Sequence, residues 1–183
     1  DMAVGGYGIS NSVATIFGMF IIGLDQGMQP IAGYNYGAQN IDRLMRVLNL
    51  AIIAATCIMT IGWIIGEFFP QQIARLFTTD EKLTAMSITA TRFNMLAFPI
   101  IGFQMVVTNF FQCIGKVKIS IFLSLSRQLL ILVPLLAILP YFFQINGVWY
   151  ALPISDATAS IIAFTIMTVF IRKFKKRITT STP

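Results

Sequence analysis

Val47-Leu48-Asn49-Leu50-Ala51-Ile52-Ile53-Ala54-Ala55-Thr56-Cys57-Ile58-Met59-Thr60-Ile61-Gly62-Trp63-Ile64-Ile65-Gly66 carries no charged side chain. A helix rising about 1.5 Å per residue needs roughly 20 mostly apolar residues to cross the hydrocarbon of a bilayer. This stretch lies inside a longer apolar run, 44–69, and four similar runs flank it, at 9–34, 88–113, 119–141 and 146–171. Only short polar breaks separate them, at 34–40, 78–82, 115–118 and 144–147. The chain therefore reads as an all-α integral membrane protein, a polytopic helical bundle of about five transmembrane helices. The break at 114–118 is so short that the third and fourth helices are expected to form a tight hairpin.

Composition agrees with this reading. Of 183 residues, 56% are hydrophobic and 11% are charged, and mean hydropathy is +0.78. A water-soluble domain carries about 25% charged residues, so there are too few charges here to coat a surface facing water. The basic residues sort by loop. Arg43, Arg46, Lys116, Lys118, Arg127, Arg172, Lys173, Lys175, Lys176 and Arg177 fall on one side, against Arg75, Lys82 and Arg92 on the other. Basic loops stay cytoplasmic. The expectation is a multi-pass protein of the plasma (inner) membrane, with residues 172–183 as a cytoplasmic tail. The net charge of +6 then serves topology and contact with anionic lipid headgroups, and no nucleic acid is expected as a partner. No basic segment precedes the first apolar run. Asp1-Met2-Ala3-Val4 reads as the middle of a loop, so a preceding helix is expected to be missing. The two cysteines, Cys57 and Cys113, are too few for a metal site and read as small buried apolar residues.

Charge inside hydrocarbon costs about 2.5–3.5 kcal/mol per residue on insertion scales, so deep polar groups mark a cavity or a partner. Asp25 lies deep in the first run, Arg127 in the fourth and Asp156 in the fifth. Glu67, beside Phe68, Phe69 and Pro70, reads as an interfacial end-residue. Asp25 and Gln29 are spaced i, i+4, and Pro30 next to them removes a ladder donor. Pro153 and Ser160 frame Asp156 in the same manner. Gln104, Thr108 and Gln112 form one stripe, with Asn109 to its side, and Pro99 and Pro134 are further candidate kinks. These groups point either to a polar pathway for a cation or to interhelical hydrogen bonds that only hold the bundle together. Asp25 is also a candidate to be neutralised by an arginine such as Arg127. Gly23–Gly27, Gly33–Gly37 and Gly62–Gly66 are spaced for close helix approach. There is no histidine, no Ser/His/Asp set and no glycine-rich phosphate loop. A passive or ion-coupled membrane device is expected rather than an enzyme, with no cofactor.

Gly27-Met28-Gln29-Pro30-Ile31-Ala32-Gly33-Tyr34-Asn35-Tyr36-Gly37-Ala38 resembles the end of the second helix in the C-terminal lobe of the multidrug and toxic compound extrusion (MATE) family. Phe111-Gln112-Cys113-Ile114-Gly115-Lys116, Arg127-Gln128 and Pro153-Ile154-Ser155-Asp156 are similar to that family in order and spacing. The opening Asp1-Met2-Ala3-Val4 resembles the loop before that second helix. The resemblance implies part of a twelve-helix, two-lobe transporter: an antiporter exporting cationic or amphipathic compounds in exchange for Na+ or H+. It also implies as partners the lipid bilayer, a missing N-terminal lobe and small cationic substrates. Asp156, Asp25, Gln29, Gln104, Asn109, Gln112 and Arg127 are the candidate pathway residues. The coupling acid that some members carry in the helix matching 88–113 is absent; Arg92 and Asn94 stand there instead. The fragment alone is expected to be inactive. The alternatives are a lipid-linked saccharide flippase of the same superfamily and a non-transporting structural subunit.

Overall fold

The computed structural model describes residues 2–143 and 145–179, and all of these lie in helices or the turns between them. In chain order these are α1 (Met2–Gly37), α2 (Ile41–Phe68), α3 (Pro70–Phe77), α4 (Glu81–Met95), α5 (Phe98–Cys113), α6 (Val117–Leu125), a π-helical segment Ser126–Leu132, α7 (Val133–Phe143) and α8 (Ile145–Thr179). Four continuous stretches are long and apolar enough to span a membrane: Gly5–Gly37, Ile41–Phe68, Val117–Tyr141 and Tyr150–Phe174. The pair α4 and α5, bent by 50°, supplies a fifth. The opening Met2-Ala3-Val4 is helical rather than a loop, and residues 180–183 of the basic tail lie outside the described residues.

Local chemistry explains the breaks. Asn40 caps α2 by accepting from the Arg43 amide, and Asp80 caps α4 by accepting from the amides of Lys82 and Leu83. Each satisfies donors that a helix start leaves orphaned. Pro70 opens α3 and Pro99 sits in the first turn of α5. There a missing N–H costs nothing, so Pro99 starts a new helix after the bend rather than kinking an old one. Gly115 adopts φ +75°, and the Lys116 amide reaches back to the Phe111 carbonyl at 2.8 Å. This left-handed closure turns α5 into α6 as a tight hairpin. Of the last predicted break, 144–147, residues 145–147 lie in α8, and Gln144 lies outside the described residues. Gly147 falls inside α8, with its backbone against the Leu139 carbonyl.

α1 and α5 form the centre of the bundle. α1 packs on α2, α4 and α5; α5 packs in addition on α2 and α8, and α7 lies along α8. Leu44, Leu48, Ala55 and Met59 of α2 and Val106, Val107, Phe110 and Phe111 of α5 are buried between them. Outward, Phe20, Ile53, Ile61, Leu130, Ile161 and Phe164 are exposed. This apolar exterior suits acyl chains.

Three expectations about small side chains change. Gly62 abuts Phe17 and Gly66 abuts Met95, but Gly23, Gly27 and Gly37 have nothing within 4 Å, so the Gly23–Gly27 pair brings no described helix close. Gly102, which spacing did not mark, brings α2 and α5 together: a Cβ there would meet the Ala55 carbonyl oxygen at 2.9 Å. Cys57 is exposed and Cys113 half-buried, so neither is the buried apolar filler expected, because Cys57 lies on the outer face of α2.

Gly102→Val should force α2 and α5 apart and cost about 1–3 kcal/mol through overpacking. Gly27→Ala should leave stability unchanged. Thermal unfolding of both variants in detergent checks the contrast.

Candidate functional site

The deep polar residues assemble at mid-span. Asp156, on α8, is 6% exposed and accepts from Arg127 Nε at 2.7 Å. The Ser155 hydroxyl donates to the Arg127 carbonyl at 3.0 Å. Adjacent residues of α8 thus hold both the guanidinium and the backbone of one arginine. The Ser160 hydroxyl donates to the Asp156 carbonyl at 2.7 Å. Arg127 lies in the π-helical segment, where the Val133 amide reaches five residues back to the Gln128 carbonyl. Pro134 follows directly. Its ring would crowd the Leu130 carbonyl of a regular α-helix, and the wider π turn relieves that crowding. Such π segments gather at functional sites.

The proposed pairing of Asp25 with Arg127 is therefore corrected. Arg127 is taken by Asp156, and Asp25 accepts instead from the Asn109 side-chain amide. Asp25 is 3% exposed, and its Oδ1 has no hydrogen-bond partner. Since Arg127 sits in mid-span rather than in a loop, the basic residues counted by side become nine against three.

Two cavities adjoin Arg127. The first, about 330 Å³, is lined by Gln104, Thr108, Asn109, Ser124, Arg127 and Gln128, together with Ile22 and Met105. Gln104 is buried with its Oε1 unpartnered. Asn109 joins this cavity to Asp25, which does not itself line it. The second, about 310 Å³, has Asn11, Asn94, Arg127, Gln128 and Asp156 among its polar walls and Phe98 and Met105 among its apolar ones. Asn94 is fixed by donating to the Ser10 hydroxyl at 3.0 Å.

Of the candidates, Gln104, Asn109, Arg127 and Asp156 line the cavities, and Asp25 lies behind Asn109. Gln29 and Gln112 are exposed and line neither. Gln112 falls in the last turn of α5, one turn past Thr108, which lines the first cavity. Glu67 pairs with Arg92 at 3.6 Å near one end of the bundle. Gln128, Ser124, Asn94 and Asn11 carry no charge, so a search for deep charges passes over them, although Ser124 and Gln128 stand at i, i+4. The signal that finds Gln128 is its place beside a deep arginine. Among the described residues no cluster of His, Cys, Asp and Glu could hold a metal.

A paired charge and a bare carboxylate beside polar cavities within a membrane bundle suit solute transport. A family model described as MatE matches residues 1–138. The chain belongs to the MatE family. Among curated proteins it is 25% identical over 172 residues to the multidrug export protein MepA of Staphylococcus haemolyticus, covering 91% of this chain and 36% of that protein. It is similar to the MATE multidrug transporter DinF-BH, solved in complex with R6G, with a TM-score of 0.82 and 34% identity over 88% of this chain and 36% of that one. It also matches the inward-facing conformation of a multidrug resistance MATE family transporter, with a TM-score of 0.84 and 25% identity over 91% of this chain and 39% of that one. The MatE chain thus spans little more than a third of the length of these relatives. It is a multi-pass membrane protein of a multidrug efflux transporter family.

Arg127→Gln leaves Asp156 uncompensated at mid-span and should cost up to about 2.5–3.5 kcal/mol. The double change Arg127→Gln/Asp156→Asn should cost less, because no lone charge remains. Thermal unfolding in detergent of the two variants checks the order.

Proposed function

We propose that this chain is part of the C-terminal lobe of an ion-coupled antiporter that exports cationic or amphipathic compounds in exchange for Na+ or H+. The observation that carries the reading is Asp25. One of its oxygens meets only a neutral amide and the other meets nothing. A bare carboxylate buried among helices is costly, and a bound proton or sodium ion removes that cost. Binding and release then favour different arrangements of the surrounding helices, which is what coupling requires. Asp156 differs, because Arg127 already neutralises it; its part is to position Arg127.

The cavity walls support a substrate with both apolar and polar parts. Met105 and Phe98 offer adaptable and aromatic contact, while Gln104, Asn109 and Asn94 offer hydrogen bonds. A saccharide–phosphate substrate would call for free arginines, and the arginine that lines both cavities is committed to Asp156. α1 also exposes Asn11, Thr15, Gln26 and Gln29, and α5 exposes Gln112. Polar side chains are ill suited to lipid. On this reading they face a second lobe across a central cavity, as in transporters built from repeats that rock about a shared site. The nine basic residues on one side support a cytoplasmic C-terminus in the plasma (inner) membrane.

The test is accumulation of a cationic dye in cells expressing the chain in its full-length context, with and without a sodium gradient. Asp25→Asn, at normal membrane level, should reduce export to that of cells lacking the transporter. Loss of export on removing sodium identifies sodium as the coupling ion; sodium-independent export identifies protons. Undiminished export by Asp25→Asn sinks the coupling role and favours a structural one.

A further inference from the structure

α2 delivers the chain to the edge of the bilayer. Its 28 residues rise about 42 Å, the depth of a bilayer with its headgroups, so Phe68 and Phe69 stand at headgroup level. α3 starts at the next residue. It lays Pro70, Ile73 and Ala74 on the bundle, packs on α4 and leaves Leu76 83% exposed. Phe68, Phe69 and Phe77 are exposed around it. A helix with such an apolar flank lies in the plane of the interface, between headgroups and acyl chains.

Between α3 and α4 runs a groove of about 620 Å³. Gln71 and Arg75, one turn apart on α3, line one wall. Glu81, Thr84, Ala85 and Ile88, at i, i+3, i+4 and i+7 on one face of α4, line the other, and Thr78 and Thr79 close the lip. Polarity changes along the groove. Glu81 and Ile88 are seven residues or roughly 10 Å apart along α4, and the wall passes from carboxylate and hydroxyl to methyl groups in the direction of the bent span that α4 shares with α5. Among the described residues, neither Arg75 nor Glu81 belongs to an ion pair. Glu67 and Arg92, on the same flank, pair with each other, and Asp80 is engaged in capping α4. The lip thus offers one open cation and one open anion above an apolar floor.

We infer that this groove seats a zwitterionic aminophospholipid of the adjoining leaflet. The Arg75 guanidinium and the threonine hydroxyls donate to its phosphate. Glu81 accepts from its ammonium group, and the glycerol and first methylenes lie on Ala85 and Ile88. Other ligands meet a charge of their own sign: a free phosphate or an anionic lipid faces Glu81, and a cationic solute faces Arg75. The exposed Phe68, Phe69, Leu76 and Phe77 enter the same leaflet and hold α3 at the depth where a headgroup reaches the lip. The bound lipid ties α3 to the start of the bent span. The inference needs the bilayer but not the export reading.

The test is photo-crosslinking of the full-length transporter in nanodiscs of equal parts phosphatidylethanolamine, phosphatidylcholine and phosphatidylglycerol. Each lipid in turn carries a photoreactive group at the start of one acyl chain, and labelled peptides are mapped by mass spectrometry. Phosphatidylethanolamine should label the segment 71–88 several-fold more than either other lipid. Arg75→Gln and Glu81→Gln should each lower that labelling several-fold. Lys82→Gln, an exposed charge outside the groove, should leave it unchanged. Both groove residues are exposed, so the variants should fold, and unaltered lipid labelling elsewhere in the protein checks that they do. Equal labelling by the three lipids overturns the site and leaves ordinary contact with surrounding lipid. Preference for phosphatidylglycerol that grows in Glu81→Gln, or competition by millimolar inorganic phosphate, overturns it in favour of an anion site. An equal fall in Lys82→Gln overturns the assignment to this groove. Labelling needs no export, so a failed dye assay removes the transport reading and leaves the lipid site standing.

Discussion

A charge that enters hydrocarbon must meet an opposite charge, a cavity or a counter-ion, and in this bundle the constraint falls on three side chains. Arg127 and Asp156 satisfy it with each other. Their contact fixes the rotation of the fourth span against α8 and determines where Ser155, Ser160 and Gln128 stand. Asp25 does not fully satisfy it. The bundle sets α1 against α5 so that a single amide from Asn109 reaches the carboxylate, and it supplies nothing for the second oxygen. One pair closed and one group left open is the division of labour from which the polar interior is built.

The backbone departs from regular helix at the same level. Pro134 cannot continue an ordinary helix through Leu130, and the chain takes the wider turn one step earlier, around Arg127. Pro99 does the reverse, starting a helix afresh after a bend. One proline therefore perturbs a span from within while the other divides one in two, and the residue framework on either side decides which. The glycines show a similar contrast. Gly102 lets α2 and α5 touch, so that the polar walls of α5 are held rigidly, whereas the open flank of α1 at Gly23 and Gly27 stays free of any helix described here.

Much of this was legible in the residues. The apolar runs, the hairpin at Gly115 and the depth of Asp25, Arg127 and Asp156 all follow from hydropathy and charge, which are properties of a single segment. The collinear motifs around Gln29-Pro30, Arg127-Gln128 and Ser155-Asp156 pointed to the family. Which acid meets Arg127 was not legible. A pairing across 29 residues depends on how two helices are rotated about their axes, and no local pattern encodes that. Gln112 and Gln29 misled for the same reason: i, i+4 spacing places residues on one face of a helix without saying what that face meets. The π turn was hidden as well, because a proline signals disturbance but not the register in which it is absorbed.

At the opposite end of the bundle from the bend lies an aromatic cluster. Phe110, Phe111, Phe170 and Phe174 contact one another edge-on or stacked, Lys116 lies 4.8 Å above the Phe170 ring, and Tyr36 stacks on Phe174 at 5.3 Å. The members come from the end of α1, the α5–α6 hairpin and the far end of α8. Within this stretch α1 is translated before α8, so during synthesis this fastening waits until α8 has been made. Until then the end of α1 is held only by its nearer neighbours. The order of translation and the order of locking are therefore opposed, with the end of α1 secured by residues more than 130 positions later.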